Sequence, residues 1–287
     1  MPALSSLYQW INNYTSRKHL RIASKEIQSI ISGITGIPKE HLLIHKDSQV
    51  TKGESEKIKR AVIKRGTHYP LQYILGSAEF MGIDFRITPG VLIPRPETEL
   101  LVEAALKYID GRQGASVLDL CCGSGIIGLS IAYRDKRARV ILSDRSAKAI
   151  RLSHENRKRL GLGSRIKIYQ GDLFSALPVS SKFDLIVSNP PYVPHERIRH
   201  LQKEVLYEPV KAIDGGKKGL EIIKEILQQA GKYLHEDGML FIEHDDTQKN
   251  YLETFCAREE QTELRYIKTI NDLCGLPRLS MFSRPAD

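Results

Sequence analysis

Two short strings in this 287-residue chain combine residue types whose spacing can do chemistry. The first is Gly123-Ser124-Gly125-Ile126-Ile127-Gly128, which has the spacing G-x-G-x-x-G, follows a short apolar run and opens a helical one. Glycines let the backbone approach a ligand, and a helix N-terminus presents unpaired N–H groups there. Asp144 lies 21 residues beyond Gly123, at the end of the next apolar run, where a carboxylate can accept hydrogen bonds from both hydroxyls of a ribose. A tight turn with a capping serine explains the glycines but not the strand before them, the helix after them and the acid beyond. The combination calls for a cofactor that contains adenosine. Asp119 narrows the choice: it sits inside the strand end, four residues before Gly123, where a nicotinamide site usually has no acid.

The second string is Asn189-Pro190-Pro191-Tyr192, directly after an apolar run at 183–188. Each proline fixes its own φ and pushes the residue before it out of the helical region. The Asn189 side-chain oxygen and the Pro190 carbonyl are thereby held on a stiff, extended loop. Two rigid acceptors can receive both N–H bonds of one planar NH₂ group, and Tyr192 offers a flat face beside it. An amide or aromatic-amine nitrogen is a poor nucleophile because its lone pair is delocalised. Acceptors placed this way stabilise the positive charge that grows on the nitrogen and aim its lone pair. Taken alone, the string would compete with a proline-rich turn that merely ends a strand.

Asp119-Leu120-Cys121-Cys122-Gly123-Ser124-Gly125 resembles motif I of S-adenosylmethionine-dependent methyltransferases, in which the acid helps hold the methionine part of the cofactor. Asn-Pro-Pro-Tyr occurs in amino-methyltransferases that act on adenine, cytosine and glutamine side chains. Further strings resemble the peptide chain release factor glutamine N5-methyltransferases over the whole chain. They are Pro70-Leu71-Gln72-Tyr73-Ile74-Leu75-Gly76, Phe80 with Gly82, Gly171-Asp172-Leu173-Phe174, Tyr207-Glu208-Pro209, and Asp272, Gly275 and Arg278. The most specific is Ile93-Pro94-Arg95-Pro96-Glu97-Thr98-Glu99, where the related ribosomal-protein L3 methyltransferases usually differ.

The resemblance implies a Rossmann-like class I methyltransferase domain that takes S-adenosylmethionine, without a metal, and methylates the glutamine of a release factor's Gly-Gly-Gln tip. It implies a cofactor site of Asp119, Cys121, Cys122, Gly123, Ser124, Gly125, Asp144, Asp172, Leu173 and Asn189. Asn189 and Pro190 would clamp the target amide, with Pro191 and Tyr192 completing the substrate site and Tyr192 counted with the catalytic group. Two stretches depart from the family. Cys121 and Cys122 stand where motif I has its first glycine and a threonine, and Leu173 replaces the usual tryptophan near the adenine. Both departures bear on cofactor affinity more than on the reaction.

These strings need an alternating frame to hold them. Apolar strands are expected at 117–120, 140–144, 166–169, 183–188 and 239–243, with two more near 264–270 and 279–282. Helices fall between them, at 146–160 and around Leu220 to Ala230 among others, which predicts an α/β, doubly wound, mostly parallel seven-stranded sheet. Residues 1–76 read instead as a small helical bundle, and residues 77–287 as a β-hairpin about Met81-Gly82, a proline-rich connector and the methyltransferase domain. The bundle holds 12 Lys+Arg against 5 Asp+Glu, most of the chain's net charge of +9. Lys57, Lys59, Arg60, Lys64 and Arg65 form a basic face that either docks an acidic partner or is simply solvated.

With 27% charged and 41% hydrophobic residues, the chain is neither disordered nor a disulfide scaffold. No uncharged apolar run approaches the roughly 18 residues of a membrane span, and the first ten residues lack a secretory pattern, so a cytoplasmic protein is expected. The four cysteines offer no zinc spacing, and Cys121-Cys122 reads as two reduced, partly buried thiols rather than a disulfide or a reactive pair. His195 and His200 are five apart, which misses the one-face spacing of a zinc protease, so 195–200 reads as a mobile polar segment. His244 reads as a buried, hydrogen-bonded histidine. As partners the resemblance implies release factors, free or ribosome-bound, and neither a membrane nor nucleic-acid specificity is expected. The alternatives are an N6-adenine nucleic-acid methyltransferase, for which the 17 residues from Asp172 to Asn189 leave little room for target reading, and a ribosomal-protein glutamine methyltransferase. A binding protein that has lost catalysis and a nicotinamide dehydrogenase stand further off.

Overall fold

The computed structural model describes residues 1–42, 44, 47–258 and 262–286. By internal packing the chain forms two compact units, Met1–Ala78 with Gln202–Tyr207, and Glu79–Leu201 with Glu208–Asp287. The first unit contains α1 (Leu4–Arg17), α2 (Ser24–Thr35), α3 (Lys52–Gly66) and α4 (Leu71–Leu75). Leu4, Leu7, Ile11, Ile30, Ile31, Ile58 and Val62 fill its core, the i, i+3, i+4 faces of three helices. Thr51 caps α3 by accepting the Glu54 N–H, and Glu54 returns the bond to the Thr51 N–H. Residues 202–207 lie far along the chain but pack here. Arg65 bridges Glu26 at 2.8 Å and Glu204 at 3.1 Å, and the Tyr207 hydroxyl donates to the Thr67 carbonyl.

The second unit takes up the chain at the hairpin of β1 (Ser77–Phe80) and β2 (Ile83–Arg86). Its sheet uses β3 (Ser116–Leu120), β4 (Arg139–Asp144), β5 (Ile166–Gln170), β6 (Phe183–Ser188), β7 (Leu234–Glu243), β8 (Arg265–Asn271) and β9 (Pro277–Ser283). The strand order is β5-β4-β3-β6-β7-β9-β8. β3 to β7 are parallel, and β9 runs antiparallel to both β7 and β8. The seven-stranded, mostly parallel sheet expected from the alternation is present. The alternation also sorts the core. Val117, Leu185, Val187 and Phe241 face α5 (Glu99–Ile109) and α6 (Ile126–Arg134), whereas Leu118, Ile186, Leu240 and Ile242 face α8 (Glu221–Gln229) and α9 (Lys249–Arg258). α7 (Ala147–Arg159) follows β4, and Ser146 caps it through the Ala149 N–H. The helix α9 was not among the expected elements, although Tyr251, Leu252, Phe255 and Cys256 recur at helical spacing and pack on one core.

The order reverses between β3 and β6. From β3 the chain winds outward to β4 and β5; from β6 it winds the other way to β7. In parallel sheets this reversal opens a crevice at the carboxyl ends of the strands. The register sets Leu120 level with Ser143 and with Ser188, and Ser188 level with Ile242. The residues that follow β3, β4, β6 and β7 therefore emerge along one edge.

Candidate active site

That edge holds a cavity of about 580 Å³, with a wall drawn entirely from the second unit. Cys121, Cys122, Gly123 and Ser124 line it after β3, Asp144 after β4, Asp172 and Leu173 after β5, and Asn189 and Pro191 after β6. Thr98, at the mouth of α5, joins them. Asp119, Gly125, Pro190 and Tyr192 are not in this wall. Gly125 has φ +80°, and a Cβ there would stand 2.9 Å from Leu142, so its place is packing beneath the turn. Pro190 is buried, and Tyr192 lies half-buried beyond Pro191.

The turn after β3 is held by carboxylates. Asp144 accepts the Gly123 N–H at 2.9 Å on one oxygen and the Ser146 N–H at 2.8 Å on the other. Burial raises its pKa above the ordinary carboxylate range, and those two N–H groups oppose the rise. Asp119 is 0% exposed and accepts the Gly128 N–H at 2.8 Å. Its other oxygen, Oδ1, has no hydrogen-bond partner among the described residues. Burial, with the Asp144 charge adding to it, pushes its pKa up to about 7. Cys121 takes a left-handed backbone at φ +62°, which is the physical reason that a glycine is favoured at this point of the motif. Burial pushes both neighbouring thiols well up, so they stay protonated, and all four cysteines are free.

Asn189 stands on the stiff loop with its amide group committed. Its Nδ2 donates to the Thr98 hydroxyl at 3.1 Å, which turns Oδ1 the other way. Among the described residues no group donates to Oδ1 or to the Pro190 carbonyl. The loop is clamped from behind. Gln248 donates to the Tyr192 carbonyl at 2.9 Å, and Val193 exchanges backbone bonds with Ile213 and Gly215. Gly219, at φ +69°, passes so close that a Cβ would meet the Tyr192 carbonyl at 2.0 Å. The Tyr192 hydroxyl donates to Glu243, a 1% exposed carboxylate at the end of β7. A further carboxylate, Glu208, accepts the Ile93 N–H at 2.9 Å and pairs with Arg95 at 2.5 Å, fixing the wall segment ahead of α5.

Thr98 and Glu208 lie inside strings that resemble the family and Glu243 ends a strand, but no sequence signal gives any of the three a role; those of Thr98 and Glu243 depend on neighbours 91 and 51 residues away. The 195–200 segment is a 3₁₀ turn tied at both ends, His195 to Asp214 at 2.7 Å and Arg197 to Asp245 at 3.0 Å, where a mobile stretch was expected. His244 is buried between the Asp245 carbonyl and Ser280, as expected. Among the described residues no cluster of His, Cys, Asp or Glu could hold a metal ion, and no helix is long and apolar enough to cross a membrane.

The cavity fits S-adenosylmethionine by its donor set. Asp144 keeps free lone pairs for ribose hydroxyls. The Asp119 oxygen that has no hydrogen-bond partner among the described residues sits behind the turn, where a nearby ammonium group would favour its charged form. Val91, Ile93, Ile127 and Leu173 give the same wall an apolar stretch suited to a flat base.

Comparison with known proteins agrees with this chemistry. The Methyltransferase small domain family matches residues 96–216, and the PrmC N-terminal domain family matches residues 6–76. A release factor glutamine methyltransferase of Geobacter sulfurreducens is 38% identical over 84% of this chain and 83% of its own. One from Thermodesulfovibrio yellowstonii is 32% identical over 99% of both chains. The human MTRF1L release factor glutamine methyltransferase is 38% identical over 80% of this chain and 71% of its own. Among solved structures, a methyltransferase from Pyrococcus furiosus superposes with TM-score 0.52 over 82% of this chain and all of its own, at 17% identity. The Thermus thermophilus 16S rRNA N2 G1207 methyltransferase, solved with AdoMet and guanosine, superposes with TM-score 0.52 over 73% of this chain and 50% of its own, at 20% identity. At such identities the two structures speak for the fold alone.

Proposed function

The chain belongs to the release factor glutamine methyltransferase family, and from that membership we propose that it methylates the side-chain amide nitrogen (N5) of the glutamine in the Gly-Gly-Gln tip of peptide chain release factors, using S-adenosylmethionine. When bound, the cofactor supplies a methyl group already activated by its sulfonium. The protein has to hold the cofactor, present a weak nucleophile in line with that methyl group, and stabilise the charge that moves onto nitrogen.

Asn189 carries the reading. Its Nδ2 is taken by Thr98, and its Oδ1 is left as an acceptor beside the cavity. With the Pro190 carbonyl it receives both N–H bonds of the target amide. These two bonds draw positive charge off the nitrogen and fix its approach. The nitrogen sheds a proton to water once the new bond has formed, so no strong base is needed. Tyr192 and Pro191 bound the target side chain. Asp144 and the 121–124 turn hold the ribose and methionine parts, Asp119 supports them from behind, and Asp172 and Leu173 lie toward the adenine. The helical unit docks the factor, free or on the ribosome, and the work is done in the cytoplasm.

Incubation of the protein with S-adenosylmethionine and purified release factors, followed by mass spectrometry of the Gly-Gly-Gln peptide, tests the reading. One added methyl group on the glutamine is expected. Transfer of tritium to DNA or RNA, with none to the factors, would overturn it.

A further inference from the structure

Glu243 has no part in the clamp as described, yet the sheet places it beside the clamp. β6 and β7 are parallel with Ser188 level with Ile242, so Asn189 and Glu243 leave the two strands at the same height. The Glu243 carboxylate is 1% exposed. One oxygen accepts the Tyr192 hydroxyl at 3.2 Å; the other has no hydrogen-bond partner among the described residues. Tyr192 closes the same Asn-Pro-Pro-Tyr loop that Asn189 opens, and Asn189 is held separately, by Thr98.

We infer that Glu243 is a positioning residue for methyl transfer: its carboxylate holds Tyr192, setting the far end of the Asn-Pro-Pro-Tyr loop from the neighbouring strand. A charged carboxylate has only lone pairs to offer, so it fixes the Tyr192 hydroxyl as the donor. Once protonated, it carries a proton of its own and the pair no longer has one fixed direction. Burial raises the Glu243 pKa to about 7, with Thr98, Tyr192 and Arg278 opposing the rise and Glu97 adding to it. Arg278 comes from β9 and is itself tied to Asp272 at 3.1 Å. The ionised form is the active one, so turnover rises with pH up to about 7 and then levels.

The inference rests on the methyl-transfer reading, and the test keeps the two apart. Wild-type protein is first assayed with S-adenosylmethionine and a Gly-Gly-Gln-containing release factor; absence of transfer there overturns the reading, not merely this residue. Glu243→Gln is then expected to lower kcat at least tenfold, to leave the cofactor Kd within threefold, and to abolish the acidic limb of the kcat–pH profile. Its Tm at pH 8 should equal or exceed that of wild type, because a buried charge has been removed, whereas a merely structural carboxylate would lower it. Tyr192→Phe should add nothing in the Glu243→Gln background. A Glu243→Gln protein with wild-type kcat and an intact acidic limb overturns the inference. If that variant does not fold, a Tyr192→Phe enzyme with wild-type kcat overturns it equally.

Discussion

Asn189 contributes one oxygen to the proposed chemistry, and a single neighbouring hydroxyl decides where that oxygen points. Asn189→Ala removes the acceptor. The loss of a preorganised hydrogen bond to developing charge costs roughly 2.7–4 kcal/mol, so kcat should fall about a hundred- to a thousandfold with little change in cofactor Kd. Asn189→Asp keeps an oxygen but loses the donor to Thr98 and sets a second carboxylate near Glu243. Its kcat should lie between those of Asn189→Ala and wild type, and steady-state kinetics on folded variants rank the three. Asp144 works on the other ligand. Asp144→Ala deprives the ribose of a charged acceptor and also frees the Gly123 and Ser146 N–H groups. Charged hydrogen bonds contribute roughly 1.5–3 kcal/mol, so isothermal calorimetry should find the cofactor bound about ten- to a hundredfold more weakly. Unchanged affinity would remove Asp144 from the site.

The elements do the positioning through register and buried charge. β3 carries Asp119 into the sheet with one oxygen on the N-terminal turn of α6 and the other unpartnered. Its pKa stands at about 7 in the folded protein against an ordinary 3.8, through burial. Between these values the folded state holds more protons than the unfolded chain, so this group makes stability greatest at low pH and lowers it as pH rises toward 7. Asp119→Asn, which keeps an acceptor for the Gly128 N–H, should flatten this slope. Denaturant melts of the cofactor-free protein from pH 5 to pH 8 check it: the variant should gain on wild type as pH rises. A parallel loss for both proteins at every pH would mean that Asp119 meets a compensating charge. The same reasoning makes the buried acids a cost that the fold carries for its ligand.

At the scale of the whole molecule, the helical unit carries the excess positive charge, and its packing divides that charge into two kinds. Lys57, Arg60 and Lys64 are exposed on α3. Arg65 is not a surface charge, since it holds Glu26 and Glu204 together. Lys59 leans on Glu56 and the Trp10 ring. Reversing Lys57, Arg60 and Lys64 to glutamate, with Arg65 untouched, should raise KM for the release factor severalfold, weaken its salt dependence and leave kcat near wild type. If KM and its salt slope do not move, the face is only solvated. Including Arg65 would confuse the result by breaking the link to residues 202–207.

The amino-acid sequence by itself determined the alternating frame, the seven strands, the helical first unit and the two strings that carry the chemistry. Each of these is local: periodicity, glycine and proline punctuation and motif spacing act over a few residues, and Val117 or Ile186 shows its burial in its own neighbourhood. Family resemblance rested on similarly short strings, Ile93 to Glu99 above all. What only the tertiary structure decided is long-range. The Thr98 bond to Asn189 and the Glu243 bond to Tyr192 join residues from separate elements, and parallel register alone makes Glu243 level with Asn189. Packing likewise enrolled residues 202–207 in the helical unit and turned Arg65 from a surface charge into a bridge. Neither a period nor a motif says which partner a Thr, Glu or Arg will meet. Its role is set by which side chains the fold brings within hydrogen-bond distance, and that information lies in the pairing of strands rather than in any one of them.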